Sequence, residues 1–304
     1  MSRFIDGESF KDHPELEFYL NLLQKVNNYG FEVLEHCLEE RNNFSETLPL
    51  IPFLHKNIEL TDSITTLVGN GIEESCNPLM RVLIENTFYV KYIMDENSEF
   101  RGKSYFYFYW KDEEKTLKKF LKSSQQGKDF RSKMKGGKFD PPDMDSFYKE
   151  EDVKKRLKLV RKILSDGTFK KIREEIKAFN KEYNFNPDWY YLRDGPKDIE
   201  QLASEVGLSS WYQIFYRYFS GDVHHNNLLH SRFDLSSKRP ELSLPLLRTW
   251  EKLNVTTSLL VSINIEIYTS YLNHFKPDKV KEFSIWYVKN IREDFNKIRI
   301  ENNP

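Results

Sequence analysis

Apolar residues recur every three to four positions through most of the chain, a spacing that predicts helices and not paired strands. The first helix runs from Pro14 to about Phe44, with its proline in the first turn, where a missing N–H costs nothing. LPLIPF follows as a proline-bounded connection. A second helical segment spans Leu60 to about Asp95, capped by Thr61 or Asp62 and broken or bent near Gly69–Gly71 and again near Pro78. Its second part, PLMRVLIENTFYVKYIM, is apolar nearly all round and therefore internal. SYFYFYWKDEEKTLKKFLKSS predicts a third helix. Periodicity then fails from Gln125 to Ser146, where Gly, Pro, Lys and Asp predict a mobile loop. Phe147–Leu164 and Thr168–Tyr183 read as charged amphipathic helices joined at Asp166–Gly167, followed by an aromatic loop to Pro196. DIEQLASEVG is a short helix, with Asp198 near its cap and Gly207 at its end. After an irregular stretch come a core helix from about Leu246 to His274 and a last helix from Pro277 to about Ile300. The expected fold is all-α, a multi-helix bundle with long antiparallel helices, forming a single domain over residues 1–304 with a mobile loop at 125–146.

The stretch WYQIFYRYFSGDVHHNNLLH, Trp211–His230, concentrates the polar chemistry. Trp211, Ile214, Phe215 and Tyr218 form a helical apolar stripe that predicts anchoring to the core, which leaves Gln213, Arg217, Ser220 and His224 on the opposite side. Gly221 is expected to end or kink this helix between Arg217 and His224 while keeping the two close. A guanidinium beside an imidazole can bind a phosphate and move a proton near it.

Composition narrows the picture. Aromatics make up 15% of the 304 residues, Gly and Pro are few, and the formal net charge is −1, so the totals reveal no strong field for nucleic acid. Cys37 and Cys76 are far apart and lack zinc-finger spacing, which fits a reducing cytoplasm. The N-terminal residues show no apolar signal core, and Glu266 with scattered Thr, Ser and Asn interrupts the one long apolar stretch, Leu253–Leu272; neither a secretory signal nor a membrane span is expected.

Glycine-rich phosphate loops, Gly-x-Ser-x-Gly elbows and His-Glu-x-x-His zinc helices do not occur. No cofactor or metal is expected; a metal centre would draw first on Glu85, His224 and His225. Arg81 and Glu85 stand one turn apart in the apolar helix, where charges must be paired or hydrogen-bonded. They form either a structural pair or the polar wall of a functional pocket.

The Arg81-x-x-x-Glu85 pair in MRVLIENTFYVKYI, followed by Tyr216-Arg217-Tyr-Phe-Ser220 and then His224, resembles the bacterial family called domain of unknown function 5677, over roughly Asn57 to His274. That name implies no activity. Arg217 and His224, separated by six residues, also resemble the Arg-x(4–6)-His pattern of the HEPN superfamily, all-helical proteins that include metal-independent ribonucleases of toxin and phage-defence systems. The chain departs from that pattern at Tyr218, where HEPN nucleases usually carry a polar residue. The second resemblance implies a homodimer acting on RNA, with Arg217 and His224 catalytic; Tyr216, Ser220, His225 and Asn226, near them in sequence, and Arg81 and Glu85 are the candidates for supporting or binding roles. The competing expectation is a non-catalytic helical scaffold or sensor of a defence or stress system, with an operon-encoded protein partner. Accessibility discriminates: Arg217 and His224 lining an open cleft within hydrogen-bond reach of a common point favour the enzyme, and an Arg217 consumed by Glu85 or another buried carboxylate favours the scaffold.

Overall fold

The computed structural model describes residues 13–39, 49–134, 149–183, 187–224, 233–234, 241–242, 247–248 and 253–301. They form an all-α, multi-helix protein. Packing divides the span that the sequence suggested as one domain into two compact units, residues 1–97 with 198–304, and residues 98–197.

In the first unit, α1 (Pro14–Glu39), α2 (Leu50–Gly69) and α3 (Cys76–Met94) run in sequence. Helix α2 begins ten residues earlier than expected and includes most of LPLIPF. Pro52 falls in its first turn, where the backbone N–H has no intrahelical acceptor in any case. For the same reason Pro78 is accommodated in the first turn of α3, which continues to Met94. Thr61 is therefore no cap; it is buried mid-helix and donates its hydroxyl to Asn264 Oδ1 at 3.1 Å. The break at Gly69–Gly71 is present, and Gly71 takes φ 66°, which side chains rarely adopt.

Helix α10 (Leu253–Phe275) is the central member. Leu260, Val261, Ile263, Ile267, Tyr268, Tyr271 and Leu272 are fully buried, and Met80, Leu83, Ile84, Phe88, Val90 and Ile93 on α3 are equally so. Full burial of a single large aliphatic side chain contributes about 1.5–3 kcal/mol, so these two helices dominate the unit's stability. The helices pack antiparallel: Asn57 of α2 meets Asn86 of α3, Phe53 meets Tyr89, and Tyr271 donates to Leu50 O at 2.6 Å while Thr61 meets Asn264. Glu266, which interrupts the apolar run of α10, is paired with Lys91. Leu247 and Arg248 lie in a bend, so α10 does not include the start expected for it at Leu246. Helices α11 (Val280–Asn290) and α12 (Arg292–Glu301) follow. A two-residue antiparallel bridge pairs Phe233 with Leu242 and Asp234 with Glu241.

The second unit holds α4 (Ser98–Phe120), α5 (Gln125–Met134), α6 (Glu150–Ser165) and α7 (Lys170–Tyr183) around a core that includes Tyr107, Leu117, Val153, Leu157, Val160 and Ile172. Part of the predicted mobile loop is thus helix α5, and residues 135–146 lie outside the described residues. Ser124 is the overlooked signal. Its Oγ accepts from Gly127 N–H at 2.8 Å, the bond of an N-cap, and Gly127 is glycine because a Cβ there would collide with the Leu121 carbonyl.

Candidate functional site

Asp198 opens α8 (Ile199–Glu205) by accepting from Gln201 N–H at 2.8 Å, and Gly207 closes the turn at φ 74°, both as expected. The chain then winds without a break through Ser209–Trp211, a π-helical turn at Tyr212–Tyr216 and Arg217–Val223, together α9. The helix continues through Gly221 and ends two residues later, at Val223.

The buried stripe differs from the predicted one. Tyr216 and Phe219 are buried and Tyr212 and Phe215 half-buried, at ordinary helical spacing, while Ile214 and Tyr218 are 60% and 47% exposed. Ile214 and Tyr218 are therefore surface residues and not core anchors. Arg217 and His224 stay exposed, as the sequence predicted.

Tyr216 meets the Arg81–Glu85 pair of α3. Arg81 Nη1 lies 3.1 Å from Glu85 Oε2, Arg81 Nη2 donates to the Tyr216 hydroxyl at 2.6 Å, and that hydroxyl donates to Glu85 Oε2 at 3.0 Å. The guanidinium also stands 4.6 Å from the Tyr216 ring centre, a cation–π contact. Tyr89, absent from the sequence reading, donates to Glu85 Oε1 at 2.8 Å; its position one turn after Glu85 on the same helix face was the available signal. Burial, and then the charge of Glu85, push the Tyr216 hydroxyl well above its ordinary value, so it remains a proton donor at any physiological pH. At the far end of the contact Asn77 donates to Asp222 Oδ2 at 2.7 Å. Together these bonds hold α9 antiparallel on α3.

The opposite face carries the other candidates. Arg217 Nη1 donates to Gln213 Oε1 at 3.0 Å, and Gln213 Nε2 donates in turn to Glu200 Oε1 at 2.6 Å. A neutral amide thus orients the guanidinium without cancelling its charge, and among the described residues Arg217 makes no ion pair. His224 caps the C-terminus of α9, its N–H bonded to Ser220 O at 3.1 Å. Seven residues at 1.5 Å rise place the two Cα atoms about 10 Å apart, two turns along one face. Ser220 lies half-exposed between them. His225 and Asn226 fall outside the described residues. Among the described residues no three His, Cys, Asp or Glu side chains come together as metal ligands. Burial pushes the Cys37 and Cys76 thiols up to about 12, so neither is a thiolate at neutral pH. A cavity of about 450 Å³ lined by Lys91, Asp95, Glu205, Ser270 and His274 contains none of these candidates.

Residues 47–240, more than half of the chain, match the family of unknown function DUF5677. The chain belongs to this family. The DUF5677 match begins just before α2, covers the Arg81–Glu85 pair and all of α9, and stops before α10, so it is shifted towards the N-terminus relative to the span expected from the motifs. No curated protein and no solved structure matched the chain. Among the described residues no helix is long and apolar enough to cross a membrane.

Proposed function

We propose that this DUF5677 protein is a HEPN-like, metal-independent ribonuclease or toxin-type effector, with phage defence as its setting. The observation that carries this reading is Arg217, exposed and held by Gln213 in place of a carboxylate, on the same face of α9 as the exposed His224. Arg217 binds the scissile phosphate and stabilises the charge that builds on it. His224 takes the proton of the 2′-hydroxyl as its oxygen bonds to phosphorus and the bond to the leaving 5′-oxygen breaks, or it protonates that leaving oxygen. The product carries a 2′,3′-cyclic phosphate, so DNA is inert and EDTA harmless. Arg81, Glu85 and Tyr216 act beneath the face by fixing α9, and Ser220, His225 and Asn226 are left to orient the pair or bind the nucleotide.

A two-turn separation suits two residues that share the work with a second copy, and exposed Ile214 and Tyr218 beside Arg217 offer apolar surface for a two-fold contact, which supports a homodimer. The same separation also favours the second reading, a non-catalytic scaffold or sensor acting in the cytoplasm with an operon-encoded partner. Overexpression decides between them. Wild-type protein should arrest growth and leave RNA ends with cyclic phosphate, and Arg217→Ala or His224→Ala should abolish both; toxicity that survives both substitutions in folded protein removes the mechanism.

A further inference from the structure

The net charge of −1 hides a segregation of charge between the two units. Residues 98–197 contain 26 Lys and Arg against 17 Asp and Glu, a net +9, whereas the rest of the chain contains 20 against 30, a net −10. The basic excess has an ordered location. On α6, Val153, Leu157, Val160 and Leu164 face the core, which leaves Lys155, Lys158 and Lys162 in one outward stripe around the exposed Leu159. Lys158 and Lys162 have no ion-pair partner among the described residues, and Lys155 reaches Asp152 only at 3.9 Å. On α4, the single carboxylate of Glu114 is shared by Lys111 at 3.6 Å, Lys118 at 2.8 Å and Arg161 at 3.3 Å, so among the described residues one negative charge faces three cations. Lys115 and Lys119 extend that helix's basic surface and are exposed.

We propose that residues 98–197 form an RNA-holding module that grips the phosphate backbone through the outward face of α6 and the C-terminal half of α4. Solvated helices ordinarily intersperse both signs, and a contiguous segment with this excess creates a field that attracts polyanions. Arg217 and His224 belong to the net-acidic unit, so the unit with the basic excess is the better source of attraction for a polyanion. The choice of RNA over other polyanions rests on the ribonuclease reading, and the test separates the two.

The full chain carrying His224→Ala is titrated against a fluorescein-labelled single-stranded RNA of about 20 nucleotides, followed by anisotropy at increasing NaCl. Binding is expected to be tight at low salt. Lys155→Glu, Lys158→Glu and Lys162→Glu together should weaken it about tenfold or more and reduce the slope of log affinity against log salt by about 2, as for three lost phosphate contacts. The three glutamine substitutions should give an intermediate loss, with circular dichroism confirming the fold. Reversing Lys281, Lys289 and Arg292, exposed cations of the other unit, should change neither quantity. The proposal is overturned if the chain does not bind RNA at low salt, if the α6 reversal binds unchanged, or if the control reversal costs as much. Binding to phosphatidylserine vesicles or salt-sensitive self-association in place of RNA binding also overturns it. RNA bound as expected by a wild-type protein that does not cleave would remove the ribonuclease reading and leave this one standing; cleavage with an unchanged α6 reversal would do the opposite.

Discussion

Replacing Glu85 by alanine removes three interactions at once: the ion pair with Arg81 and the hydrogen bonds from Tyr89 and Tyr216. What remains is an arginine whose Nε is already buried without an acceptor, beside two tyrosine hydroxyls that have lost theirs. Breaking a fully buried pair costs about 3–5 kcal/mol and a surface pair at most about 1. The Arg81 and Glu85 side chains retain 22% and 24% of their exposure, so the loss belongs between these limits, at about 2–3 kcal/mol. For a unit of this size that is roughly 4–12 °C in Tm. Tyr216→Phe removes only the hydroxyl between Arg81 and Glu85 and should cost about 1–2 kcal/mol. Thermal and urea unfolding of the two single variants and the double variant, followed by far-ultraviolet circular dichroism, measures the coupling, expected at about 0.5–2 kcal/mol because all the groups share one network. If the two losses simply add, Tyr216 does not bridge the pair, and the account of how α9 is held on α3 fails.

Gly30 lets α1 approach Tyr268 of α10 so closely that a Cβ would overlap the tyrosine hydroxyl and lie 3.1 Å from Ile58 Cγ1; Gly30→Ala should destabilise by about 1–3 kcal/mol, and an unchanged melting temperature would contradict the packing. Burial works against the charge of Glu114, but hydrogen bonds from Lys118 and Arg161, with the charge of Lys118, hold its carboxyl below the usual value. A depressed carboxylate contributes stability that is present at neutral pH and is lost as the pH falls below the carboxylate range, so Glu114→Gln should lower stability at neutral pH and flatten its decline on acidification; parallel curves for the two proteins would refute this. Loss of toxicity in Arg217→Ala and His224→Ala, and loss of RNA affinity on reversal of the α6 lysines, complete the expected outcomes.

The order and type of the helices other than α5 could be read directly from sequence, because amphipathic periodicity is a local property and turn and cap residues act within a few positions. That is why Asp198 and Gly207 delimit α8 as expected, and why the apolar texts around Arg81 and from Leu253 onwards proved to be the buried helices. The Arg81–Glu85 pair was legible for the same reason, being one turn of a single helix. Three things were decided by tertiary structure. Pro52 and Pro78 became first-turn residues where the sequence suggested a connection and a bend, since a proline is equally compatible with either. The buried face of α9 was settled by its docking on α3, because Tyr212, Phe215, Tyr216 and Phe219 recur at helical spacing just as Trp211, Ile214, Phe215 and Tyr218 do; Tyr216 and Phe219 are buried and Ile214 and Tyr218 exposed. Tyr216 could be joined to Arg81 and Glu85, more than a hundred residues away, only when α9 lay antiparallel on α3. The segregation of charge stood in the sequence throughout, but it had no meaning until the fold showed which residues form one unit.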